Sequence, residues 1–366
     1  MLAARTQPSE DLPLDDMRRR VRDLFEPKPW LYWTDFLFHI TLTWVAFAMT
    51  VQAALWSPLQ VLTYLVSVFA LYRSVIFIHE LAHQKRGSFG MFRWVWNLLC
   101  GLPTLLPSYV YSGVHNHHHR KNVYGTAEDS EYYPFAARSP LEIVGFLALS
   151  VLLPGLLVIR FVALTPIGWV SPLVRSYLWK RASSLTLDAH FIRTTSERDE
   201  SDWRLQEALA CGYGAAAIAL VAGGILPGQT LVVWYLMVFG SLSVNAVRTV
   251  VAHRYRNAQR QPMTITEQFL DSVDVPGQRF VTGLWAPVGL RYHATHHLFP
   301  SMPYHNLGEA YRRLLHDYPE VYAQATRRGL LDALRQLWSD AQASQRRPTV
   351  QADATGSGAE HSGGLR

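Results

Sequence analysis

The stretch PLQVLTYLVSVFALYRSVIFIHELAH, residues 58–83, decides the fold. From Pro58 to Tyr72 no side chain is charged, and Arg73 is the first that is. An uncharged run of this kind belongs in lipid as a helix, and the arginine marks where it leaves. Continued as helix at 1.5 Å per residue, the chain carries His79 about 9 Å beyond Arg73. His79 and His83 stand at i and i+4, so both imidazoles share one helical face.

The design extends outward from this stretch. Phe36–Trp56 is uncharged and long enough to span a bilayer, and Trp56-Ser57-Pro58 turns it into the quoted helix. It recurs later: Ala208–Ile225 is apolar, Pro227-Gly228 turns, Thr230–Val247 is apolar, Arg248 marks the exit and His253 follows. Both turns lack Lys and Arg, and both exits carry them. The positive-inside rule therefore puts the histidines in the cytoplasm, together with the arm bearing Arg18, Arg19, Arg20, Arg22 and Lys28. Ile143–Ile159 is apolar but broken by Pro154 and Gly155. A lone crossing there would put the later histidines on the opposite side from the earlier ones, so a re-entrant or interfacial hairpin over 143–175 is expected. Residues 93–110, Trp-rich and Pro-broken, read as an interfacial helix. Residues 176–205 are polar, and 306–340 is amphipathic.

The expected fold is all-α: an integral membrane bundle of about four transmembrane helices plus interfacial helices, with a cytoplasmic helical cap. It divides into a cytoplasmic arm (1–30), a membrane domain with cap (31–340) and a disordered tail (341–366). Hydrophobic content of 49%, 12 Trp and 17 Tyr suit a protein with two water–lipid interfaces. The net charge of +6 fits an anionic membrane face, and no nucleic-acid motif accompanies it. The two cysteines, Cys100 and Cys211, lie in apolar stretches and suggest neither a disulfide framework nor thiolate ligation. The N-terminus does not read as a signal peptide.

Of 15 histidines, ten fall in four short clusters: His79 and His83; His115, His117, His118 and His119; His253; and His293, His296 and His297. The second and fourth repeat an i, i+3, i+4 spacing, which gathers three imidazoles on one helical face. Leaving out His117, which breaks the spacing, nine candidate ligands remain. One site takes about four, so nine call for two metals. Imidazole suits Zn, Cu, Fe and Ni alike. Two metals, no thiolate and a lipid-embedded stalk favour an iron pair for O2 chemistry.

HELAH, HNHHH and HATHH resemble the three histidine boxes of the membrane fatty-acid desaturase and hydroxylase family, over roughly residues 35–310. The tail His297-Leu298-Phe299-Pro300 followed by Pro303 resembles that family too. The resemblance implies a di-iron centre held by His79, His83, His115, His118, His119, His293, His296 and His297, with His253 as a further ligand. It also implies O2 as co-substrate, a fatty-acyl or lipid substrate, and electrons from a separate ferredoxin or cytochrome b5. No His-Pro-Gly-Gly haem motif or Cys-rich segment suggests a fused donor. The implied reaction is attack on an unactivated C–H bond, with desaturation favoured over hydroxylation on the same scaffold. In several relatives an Asn precedes the single histidine by four residues. Thr249 stands there, leaving Asn245 or Asn257 as substitutes.

Other residues have competing readings. Glu80 completes an HExxH zinc-protease signature or orients an imidazole. His117 and His305 are candidates for a supporting role around the ligands, and Glu128, Asp129 and Glu131 for accepting imidazole N–H groups or forming an exposed acidic loop. His39 reads as a structural histidine, His190, His316 and His361 as surface residues, and Arg73 and Arg248 as interface snorkellers in preference to contacts with a substrate headgroup or an electron donor. A haem or metal carrier is the non-catalytic alternative.

Overall fold

The computed structural model describes residues 12–84, 89–188, 190–194 and 197–346. His361 and the tail expected to be disordered lie largely outside them. The described chain is helical, with three isolated β-bridges and no strand. Five helices are long and apolar enough to cross a membrane: α1 (Pro29–Gln52), α2 (Pro58–His83), α3 (Leu153–Val170), α4 (Glu197–Ala222, apolar from Asp202) and α5 (Gln229–Val250). That is one more than the sequence suggests, and the addition is α3.

Local chemistry starts and stops these helices. Ser57 caps α2, its hydroxyl accepting from Gln60 N at 3.2 Å, and Pro58 opens the first turn, where a missing N–H costs nothing. Arg73 does not end α2. It forms a bidentate pair with Asp35 of α1 at 2.6–2.7 Å, and Asp35 also contacts His39, the structural histidine of the sequence reading. With its charge matched inside the α1–α2 hairpin, Arg73 lets the helix run on to His83. The α2–α5 contact is close because Gly240 has no side chain: a Cβ there would lie 2.9 Å from Val68 Cγ2 and 3.0 Å from Tyr64 Oη. Gly240→Val is expected to force the helices apart and to destabilise the protein by roughly 1–3 kcal/mol, read as a lower melting temperature in detergent.

Residues 140–181 fold back on themselves. The helix Pro140–Leu149 leads to a turn in which Ser150 Oγ lies 3.0 Å from Ser243 Oγ of α5 and Tyr235 donates to Val151 O. α3 then runs to Arg160, whose guanidinium meets Glu207 of α4 at 2.6 Å and Ala182 O at 2.6 Å. A π-helical turn over Ile159–Leu164 accommodates that buried arginine. Residues 90–110 are not one interfacial helix. They form the helix Gly90–Trp96, a π-turn Asn97–Gly101 and a 3-10 turn Ser108–Val110. Trp96 is fully buried, its indole N–H donating to Ser74 O at 2.8 Å, so this segment packs against α2.

The ends of α2 and α5 that carry histidines converge under a helical cap. Its amphipathic part comprises Leu307–Asp317, Pro319–Ala325 and Leu330–Gln345. The arm before α1 joins it: Leu12, Met17, Val21 and Leu24 pack with Phe269, Phe299 and Leu314. The arm is thus part of the cap rather than a separate tether.

Candidate metal centre

Three helices and one loop bring the nine imidazoles together. His79 and His83 end α2. His115 and His118 lie in the short helix Val114–His118, with His119 as its cap residue. His293, His296 and His297 lie in the short helix His293–Leu298. His253 follows α5 and is held by a bridge to Ser272. All nine fall into two groups, each with ligand atoms within 4.8 Å of one another: His79, His83, His115, His119 and His296; and His118, His253, His293 and His297. Every i, i+4 pair stays together, and each i+3 histidine crosses to the other group.

The ring nitrogens point at each other. Nε2 of His119 lies 3.0 Å from Nε2 of His115 and 3.2 Å from Nε2 of His296. Nε2 of His293 lies 3.0 Å from that of His253 and 3.1 Å from that of His297. Both nitrogens of His79, Nε2 of His83 and Nδ1 of His119 and His296 are buried without any hydrogen-bond partner. Such groups are costly unless something satisfies them. Facing lone pairs repel, and a cation between them reverses the sign. Metal–imidazole bonds of about 2.1 Å set neighbouring ligand nitrogens about 3.0–3.4 Å apart, so the residues present fit two metal ions.

The outer nitrogens set the tautomers. His118 Nδ1 donates to Asp129 at 2.8 Å, and His115 Nδ1 donates to Glu131 at 3.1 Å, beside the Tyr111 hydroxyl, which itself donates to Glu131 at 2.9 Å. His253 Nδ1 donates to the Tyr124 oxygen at 2.8 Å, and Tyr124 donates to Asp271 at 2.9 Å. With Nδ1 carrying the proton, Nε2 presents its lone pair inward. Burial, with help from neighbouring imidazoles and, for His293 and His296, from Arg248, holds His119, His293, His296 and His297 well below the usual imidazole value, keeping them in the neutral, ligating form. Burial also lowers His118, but the Asp129 carboxylate outweighs it and the net shift is upward. Burial pushes Glu131 up to about 7. Asp274 positions the last histidine helix by accepting from Thr295 N at 3.1 Å and Thr295 Oγ1 at 2.7 Å. Asp129→Asn removes the negative charge facing His118 and turns one of its two acceptor oxygens into a donor. It is expected to lower metal affinity or turnover about 10–100-fold, measured by metal content after dialysis.

The structure places several of the other sequence candidates away from the imidazoles. Glu80 does not orient His79. Its carboxylate is 3.8 Å from Nδ1 and instead accepts from Tyr32 at 2.8 Å and Tyr304 N at 3.3 Å. His305 accepts from Lys28 N at 3.1 Å, away from the ligands. Asn257 pins a loop through Gly125 O and Gln261 O, and Asn245, half-buried, has no hydrogen bond to a histidine. His117 is half-buried and outside both groups, and Glu128 touches no imidazole. Arg248 is no snorkeller: it is buried, and it donates to His293 Nδ1 at 3.1 Å. The sequence offered no signal for Tyr111, Tyr124, Asp271 or Asp274. Their roles come from contacts across more than one element.

The fold and this site define a membrane-embedded oxidoreductase built around a histidine cage. The fatty acid desaturase family model matches residues 55–328, and the chain belongs to that family, which is generally di-iron. A ceramide hydroxylase of Caulobacter vibrioides is 37% identical over 318 residues, 86% of this chain and 90% of the relative. No solved structure gives a significant match. The chain is thus a multi-pass, desaturase-like enzyme that oxidises a lipid.

Proposed function

We propose that the chain is an O2-dependent lipid hydroxylase with two iron ions, one among His79, His83, His115, His119 and His296, the other among His118, His253, His293 and His297. The observation that carries this is the division of nine imidazoles, six buried and three half-buried, into two inward-facing sets. The sequence alone favours desaturation. The similarity to a ceramide hydroxylase over most of both chains tips the reading to oxygen insertion and to a ceramide-like substrate. Two irons held by these imidazoles would supply the oxidising chemistry, with O2 and two external electrons as co-reactants. The chain's own residues do the rest. Asp129, Glu131 and the Tyr124–Asp271 pair hold the imidazoles in register, and buried Val114, Val250 and Val251 beside the centre keep water away. The centre and the N-terminal arm face the cytoplasm, where a separate ferredoxin or cytochrome b5 delivers the electrons.

Desaturation is the second reading, supported by the family's own description. Purified protein given reductant, donor, 18O2 and a ceramide separates the two. Hydroxylation yields a product heavier by one 18O atom, and desaturation yields one lighter by two hydrogens. About two irons per chain are expected. A single zinc with no oxidised lipid would sink both readings and revive the protease alternative. Against that alternative, Glu80 is engaged with Tyr32 and Tyr304 rather than turned to the imidazoles.

A further inference from the structure

The short helix Arg279–Trp285 lies between α5 and the third histidine helix in sequence, and it packs against both α2 and α5. Phe280, Val281 and Leu284 fall within about 100° of its circumference. They are 78%, 62% and 52% exposed, whereas Thr282 on the opposite side is buried. Trp285, half-buried, packs against the core clusters that hold Tyr72 of α2 and Val250 of α5. Arg279 is exposed, and Arg291 donates to Arg279 O at 3.4 Å, which puts two cations beside the apolar face. Three large apolar side chains grouped on so short a helix mark a surface that something covers.

The height of this helix says what covers it. Tyr72 donates its hydroxyl to Trp285 O at 3.0 Å. Tyr72 lies about 21 Å along α2 from Pro58 at 1.5 Å per residue, short of the roughly 30 Å that a hydrocarbon core spans. The last turn of the helix is therefore level with lipid rather than with bulk water. Its backbone is satisfied as that depth demands. The Gln278 side chain accepts from Val281 N at 2.7 Å, and Tyr72 takes up one of the last carbonyls, which have no partner within the helix. Gly277, at φ +46°, turns the chain into the helix, and a Cβ there would lie 2.2 Å from Thr282 Oγ1.

We propose that the helix Arg279–Trp285 is immersed in the leaflet on the histidine side and seats the third histidine helix at the level of the lipid. Phe280, Val281 and Leu284 lie among the acyl chains, and Arg279 and Arg291 lie at the phosphates. Aromatic and aliphatic side chains beside arginines are the composition of a helix lying in an interface. Arginine heads reach the phosphates while their stems stay with apolar neighbours. Only residues 286–292 separate Trp285 from His293, and Leu290 N bonds to Pro287 O, so the link is a compact turn. The depth of the anchor is thereby passed on to the centre, and a lipid meets the imidazoles without leaving the leaflet. The immersion needs only the membrane location; the delivery role rests on the lipid-oxidation reading.

The test uses the full chain in lipid nanodiscs, with the buried Cys100 and Cys211 replaced by alanine and one cysteine introduced for a bimane label. A label at Phe280→Cys should lose its fluorescence to lipids carrying a nitroxide near the head of the acyl chain, and not to iodide. A label at Glu320→Cys, exposed on the cap, should do the reverse. A label at Val281→Cys should also be quenched by the lipid nitroxide, and adding Phe280→Glu with Leu284→Glu should exchange that for quenching by iodide. The same pair of glutamates should leave iron content unchanged and raise the KM for a ceramide embedded in the disc about 10-fold, the worth of one buried aromatic side chain. Iodide quenching at Phe280→Cys without lipid quenching would overturn the immersion. So would protection from both quenchers, which would mean that protein covers the face. An unchanged KM would overturn the delivery role. If wild type oxidises no lipid, the function reading fails while the quenching still decides where the helix lies.

Discussion

His119→Ala is expected to abolish turnover and to leave the purified protein with about half its iron, while His117→Ala, two residues away, keeps both. The two imidazoles lie on the same short segment, and composition does not distinguish them. Geometry does. His119 Nε2 lies 3.0 Å from His115 and 3.2 Å from His296, inside a group of five. His117 is half-buried and belongs to neither group. Removing a partner that merely orients a ligand costs about 10–100-fold, so deleting a ligand should exceed the upper end of that range. Metal analysis and turnover on the same preparations decide it. Equal iron in both variants would show that the inward-facing nitrogens do not hold metal.

Glu207→Leu is expected to produce the largest loss of stability of any single change outside the histidine cage. Glu207 is 1% exposed, and its carboxylate takes Arg160 at 2.6 Å and, on its other oxygen, Arg175. Arg160 is itself 7% exposed and spends its remaining donors on Ala182 O and Thr165. Removing the carboxylate leaves two guanidinium groups facing each other in a poorly solvated site. Breaking a buried pair from one side costs about 3–5 kcal/mol. Because Arg160 ties α3 to α4, the damage should appear as a lower melting temperature and as protease sensitivity near 150–185, with the histidine helices less affected. The double variant Arg160→Met with Glu207→Leu should recover part of the loss, since the worst uncompensated charge leaves with it. A double variant no better than Glu207→Leu would argue that the triad is not the anchor.

The primary structure alone determined the helical membrane class, the two hairpins and the identity of the nine imidazoles. Each of these is written in short-range periodicity. Uncharged runs report lipid, i and i+4 histidines report a shared face, and arginines flank the exits. Those signals need no knowledge of what lies opposite. The same arginines also misled. Arg73 and Arg248 read as snorkellers from their position at helix ends, but Asp35 and His293 lie within bonding distance of them across the bundle. A helix end next to lipid and one buried under a cap carry the same local pattern.

Only the tertiary structure decided how the nine imidazoles divide. At about 100° per residue, i and i+4 differ by about 40°, whereas i+3 leans the other way by about 60°. That is why His118 leaves His115 and His119 for the second group and His296 leaves His293 and His297 for the first. The lean says which way each ring turns, but not what it meets there. Asp129 and Glu131, 11 and 16 residues from the imidazoles they accept from, were already candidates in the sequence, whereas the Tyr124–Asp271 pair and the seat of Arg248 beside His293 depend on contacts between segments as many as 147 residues apart. Chain packing creates such contacts, and no local pattern encodes them.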